Sequence, residues 1–121
     1  MFRRSRGDAY IHMVKCGIGG LVRTMMYVAT LVHPPELCLA RKEFNAEAKR
    51  WIDGMNDLAK KMNIRIHGAY SCPNEHTFYF VLESGDLKDI TAFFAGVMLT
   101  NHKGKISPVI SIKEASDTLI K

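Results

Sequence analysis

Four imidazoles and one thiol stand at the ends of β-rich runs in this 121-residue sequence: His33, His67, His76, His102 and Cys38. Neutral imidazole and thiolate are ligands for zinc, iron, copper or the iron of a haem. An imidazole also titrates near neutrality and serves as a general acid or base. The stretch "LVHPPELC" (31–38) holds His33 and Cys38 across two prolines, and "PNEHTFYF" (73–80) holds His76. His102 falls in "TNHKGK". Glu36 and Glu75 stand beside these residues as carboxylates able to orient an imidazole. The metal-ligating candidates are therefore His33, Cys38, His76 and His102, and the cofactor-binding candidates are His33, Cys38, Glu75 and His76. A His-x4-Cys spacing matches no zinc signature, so the pattern names no particular metal, and no catalytic residue is assigned.

Other chemistries lack their motifs. Ser71 near His76 has no oriented acid, and there is no nucleophile elbow, paired-carboxylate motif or dinucleotide fingerprint. "CGIGG" (16–20) lacks the Lys-Ser/Thr and preceding strand of a phosphate loop. "HTFYFVLE" lacks the glycine and basic residue that an RNA-recognition strand carries, so nucleic acid is disfavoured as a partner.

The net charge of +5 is unevenly placed. Residues 1–24 hold five basic groups against Asp8, leaving the rest of the chain close to neutral, which argues against a globally basic binding surface. Lys15 and three glycines interrupt the apolar run a secretory signal needs, and no stretch approaches the roughly 20 apolar residues of a membrane span. Residues 1–24 read as a flexible basic extension, and 25–121 as the domain. Three cysteines without CxxC spacing point to reduced thiols and a cytoplasmic location.

The elements that must carry the imidazoles follow from period. "MYVATLVH" (26–33) has strand length and β-rich composition, ended by Pro34-Pro35. Across 44–62, Phe44, Ala48, Trp51, Ile52, Met55, Leu58, Ala59 and Met62 recur at helical steps, with Asn45 as the expected N-cap. "IRIHGAYS" (64–71) and "HTFYFVLES" (76–84) read as a hairpin around "CPNE". A symmetric turn there pairs Ser71 with His76 and His67 with Phe80, placing both imidazoles on one face. Asp86 caps a second helix with Leu87, Ile90, Phe93, Phe94, Val97 and Met98 inward. A fourth strand covers 105–112, with Pro108 at an edge, and a short helix or tail follows.

The order β-α-β-β-α-β is the ferredoxin-like solution of an α+β domain: a four-stranded antiparallel sheet with two helices on one face. Its other face then exposes either Tyr27, Leu31, Phe78, Phe80 and Val109 or their neighbours of opposite parity. An apolar patch of that kind needs cover, and a second copy makes a homodimer.

"VATLVHPPELCLARKE", "HGAYSCPNEHTFYFVLES" and "NHKGKISPVISI" resemble small, mainly prokaryotic and archaeal domains of the dimeric α/β-barrel group. The resemblance runs from Met26 to about Ile112 and implies the ferredoxin-like fold and a dimer. It singles out His33, Pro35, Cys38, Asn74, Glu75, His76 and His102. The wider group includes monooxygenases, isomerases, haem proteins and sensing modules, so it implies no single chemistry.

Two functions stay open at this level. One is a transition metal, haem or small organic ligand held in a His/Cys-lined pocket, with redox or oxygen-dependent chemistry. The other is a non-catalytic sensor or protein-interaction domain whose apolar sheet serves assembly.

Overall fold

The computed structural model describes residues 11–15 and 21–120, with side chains from residue 23 onward. The elements are β1 (Ile11–Lys15), β2 (Leu21–Val32), α1 (Asn45–Lys61), β3 (Arg65–Cys72), β4 (Thr77–Ser84), α2 (Leu87–Phe93), α3 (Val97–Thr100), β5 (Lys103–Val109) and α4 (Ile112–Leu119). The chain is α+β. Its antiparallel sheet runs β3-β4-β2-β5, and β1 pairs with Leu21–Met25 on the edge of β2 that β5 occupies further along. The sheet thus reaches back across the boundary expected at residue 25. Strand pairing takes in Ile11–Lys15 and Leu21–Thr24, and the remainder of the expected extension lies outside the described residues.

Alternation along β2 decides its faces. Tyr27, Ala29 and Leu31 are buried on one side, and Met26, Val28, Thr30 and Val32 take the other. On β4 the residues facing inward are Phe78, Phe80 and Leu82. Onto this side α1 sets Ala48, Trp51, Met55 and Leu58, α2 sets Ile90, Phe93 and Phe94, and α3 sets Val97 and Met98. Both main helices therefore lie on the same face. Trp51 meets Phe93 edge to face with ring centroids 5.1 Å apart, and its Nε1–H donates to the Phe93 carbonyl at 3.2 Å, satisfying the one polar atom of the indole.

Local chemistry sets the element ends, and several differ from expectation. Asp86 caps α2, its carboxylate accepting from the Lys88 N–H at 2.9 Å. Asn45 is the first residue inside α1 and not its cap. The chain enters through Phe44, already near helical backbone, so no extended residue precedes the helix to aim a side chain at its free N–H groups. The second helix breaks in two because Gly96, at φ 89°, adopts a backbone that only glycine takes without strain. Leu87, expected inward, starts α2 beyond the core and is exposed. The fourth strand of the expected order, β5, spans Lys103–Val109 and not 105–112, since Ser111 caps α4 through the Glu114 N–H at 3.0 Å. Pro108 is tolerated because, among the described residues, β5 pairs with β2 alone.

The hairpin register also differs. Cys72 pairs with Thr77, Ser71 with Phe78 and Ala69 with Phe80, so His76 belongs to the turn and not to the ladder. A bulge between Ile66 and Gly68 inserts His67 as an extra residue. His67 and His76 consequently do not share a strand face.

Candidate metal centre

β2 ends at Val32, and His33 extends its ladder by one bond, donating its backbone N–H to the His76 carbonyl at 3.1 Å. Pro34 holds extended backbone and Pro35 opens a single turn through Leu37. That turn is closed by the N–H groups of Leu37 and Cys38 on the carbonyls of Pro34 and Pro35. The two prolines thereby return the chain so that Cys38 approaches His33.

His76 arrives from the opposite hairpin. It follows the Pro73–Glu75 turn at φ 49°, ψ 47°, a left-handed backbone that costs a side chain other than glycine about 1 kcal/mol. His102 follows α3. There the Asn101 side-chain amide donates to the Leu37 carbonyl at 3.1 Å, tying the end of α3 to the proline turn. Three separate connections are thus held around one corner of the sheet.

His33, Cys38 and His76 each offer one ligand atom, and these atoms lie within 4.8 Å of one another. His33 Nε2 stands 3.3 Å from His76 Nδ1, and His33 Nδ1 stands 3.0 Å from His102 Nε2. The imidazoles form a row with His33, itself buried, at the centre. Phe78 packs against its side, its ring centroid 5.3 Å from that of His102 and 6.0 Å from that of His33. Cys38 is half-buried, and its thiol forms no disulfide among the described residues.

Burial disfavours charge on His33 and His102. His33 is held below the ordinary imidazole value first by desolvation and then by the neighbouring His102 and His76. Desolvation also lowers His102, with the carbonyls of Met98 and Val97 working the other way. His102 Nδ1 is a buried atom with no hydrogen-bond partner among the described residues. With the His102 proton on Nδ1, its Nε2 would accept from His33 Nδ1–H and turn the His33 Nε2 lone pair toward His76.

The other residues expected at this site lie elsewhere. Glu75 is exposed, and its carboxylate accepts from the Tyr79 hydroxyl at 3.3 Å; Glu36 is exposed as well. The bulge puts His67 on the opposite sheet face, where its Nε2 is 2.8 Å from Glu83 Oε1. The carboxylate of Glu83 is fully buried; its Oε2 accepts from Thr24 Oγ1 at 2.6 Å, and Arg65 Nη1 is 3.8 Å from its Oε1. Glu83 alternates with Phe78, Phe80 and Leu82, so its position in the strand reads as solvent-facing. Nothing in the sequence signals that this carboxylate is enclosed.

A cavity of about 310 Å³ opens beside the row, walled by His33, Cys38, His76, Leu39, Ser71 and Phe78 among others. Among the described residues no helix is long and apolar enough to cross a membrane. No protein-family model and no curated protein matches this chain.

Proposed function

We propose that this protein binds a transition-metal ion on His33 Nε2, Cys38 Sγ and His76 Nδ1, leaving one coordination position open to the adjoining cavity. The observation that carries the reading is the convergence of two imidazoles and a thiol at ligand spacing. Zinc–nitrogen bonds of about 2.0–2.1 Å at tetrahedral angles set two nitrogens roughly 3.3 Å apart, and the two imidazole nitrogens are 3.3 Å apart. The ion would take the place of the hydrogen bond between these nitrogens, with the His76 proton carried on Nε2, and its uptake would release acid from the Cys38 thiol, which must ionise to ligate. One thiolate with two imidazoles suits zinc or copper. A cavity of about 310 Å³ is at the small end for ligand pockets and favours an ion with a small exogenous ligand over a haem. Three protein ligands and an open position are the arrangement in which a metal polarises a bound oxygen.

His102 takes a different part from the one expected of a ligand. It accepts from His33 Nδ1–H and so fixes the tautomer and ring direction of a ligating imidazole. Metal analysis of freshly purified protein, followed by cobalt uptake with its thiolate charge-transfer band, tests the reading. Retention of one ion per chain, lost in Cys38→Ser and His76→Ala with folding intact, is the expected result. A chain that takes up no transition metal at micromolar concentration overturns it.

The sheet order and the two helices on one face support a ferredoxin-like fold of the dimeric α/β-barrel type. In that reading two copies meet through the opposite face, where Val32 and Tyr70 are 42% and 63% exposed. Sedimentation showing only monomer at high concentration removes the dimer. A cytoplasmic setting accords with Cys38 as a reduced, ligating thiol.

A further inference from the structure

A second cavity lies against the first. It measures about 170 Å³ between α1 and β3, and Ser71 and Phe78 line both. Its walls include the side-chain environments of Trp51, Met55, Phe80 and Met98. A dry apolar cavity of about 150 Å³ accepts benzene, so this space has room for one aromatic ring. Trp51 and Phe80 already stand edge to face at 6.0 Å, an arrangement that offers a further ring both an edge and a face. Neither cavity has a Lys, Arg, Asp or Glu among its lining residues. No charged side chain lines the ring cavity, so the part of a ligand that enters it is uncharged. Sulfur of Met55 and Met98 adds favourable contact with a ring.

We propose that the two cavities form one binding site for a single-ring aromatic compound, uncharged on its ring, bearing a hydroxyl or carbonyl oxygen on a short arm. The ring lies under Trp51 and Met55, and the oxygen reaches past Ser71 and Phe78 to the open position of the metal. This assignment rests on the metal reading above and names the ligand class of that same site.

The probe is 4-fluorobenzyl alcohol, followed by fluorine NMR with the full chain, metal-free and loaded with cobalt. Its expected behaviour is saturable binding at least about tenfold tighter to the cobalt-loaded chain, a difference of about 1.4 kcal/mol, with paramagnetic broadening of the ring fluorine. 4-Fluorotoluene, lacking the oxygen, should bind both forms alike. Ala69 lines the ring cavity from the exposed edge strand, so Ala69→Phe fills that space with little risk to folding. It should weaken the alcohol by about tenfold or more while leaving the cobalt spectrum unchanged. Cobalt uptake with no binding of the alcohol, or binding unaffected by Ala69→Phe, overturns the ligand assignment and leaves the metal site standing. Ring binding without any metal uptake overturns the metal reading and, with it, the two-part site.

Discussion

Replacing His102 by leucine separates a positioning residue from a ligand. The His102 Nε2 lies 3.0 Å from His33 Nδ1, and His33 is buried. Leucine leaves the His33 Nδ1–H enclosed with no acceptor, which costs about 1–3 kcal/mol. That is roughly 10- to 100-fold in metal affinity, the range found when a partner behind a ligating histidine is removed. His102→Gln restores an acceptor and should recover most of the loss. His76→Ala removes a ligand outright and should weaken binding by three orders of magnitude or more on the same scale. Cobalt titration against a competing chelator at fixed pH measures all three, with thermal melts confirming that each variant is folded. A His102→Leu variant that binds as the unmodified chain does, or as weakly as His76→Ala, refutes the positioning role of His102.

Four further outcomes follow from the same structure. Burial holds His33 and His102 below the ordinary imidazole value, so the unfolded chain binds more protons than the folded one. The stability of the metal-free protein is then greatest above the unfolded value of about 6.5 and falls as pH drops through it toward the folded values. A urea midpoint that stays constant between about pH 7.5 and 5.5 would contradict this. Glu83→Leu leaves Thr24 and His67 without the carboxylate they share and should cost about 3 kcal/mol in urea unfolding, whereas Glu83→Gln costs less. Phe93→Ala, deep under Trp51, should lose about 3–5 kcal/mol, with Trp51 fluorescence reporting the transition. Gly96→Ala forces a side chain onto φ 89° and should lower stability by about 1–3 kcal/mol, read from the same denaturation curves.

Much of the architecture is legible in the sequence because its periods are strong. The repeat from Phe44 to Met62 marks α1, and the β-rich run ending at Pro34-Pro35 marks β2 from Met26 to its end at Val32. The beginning of β2 is not legible, since "LVRT" carries an arginine and lies next to a glycine-rich run, and its pairing with β1 is a tertiary matter. The site divides in the same way. His33 and Cys38 are each legible as candidates, but the prolines between them read as an extended connection, and the Pro35–Leu37 turn that returns the thiol to the imidazole does not show in the sequence. The part played by His102 needs the Asn101–Leu37 bond, which joins positions 64 residues apart and leaves no local trace. His67 is misplaced by one inserted residue. Since side chains alternate along a strand, a bulge transfers every later position to the opposite face, and the composition of "IRIHGAY" gives no sign of it.

The conformation of His76 bears on how such a corner changes over time. A hairpin selected only to hold together would drift toward glycine or asparagine at that point, where either fits with less effort. His76→Gly therefore relaxes the bend while abolishing the imidazole, so durability and chemistry pull this one position in opposite directions. On the proposed centre, histidine at this position exchanges a more comfortable loop for a ligand.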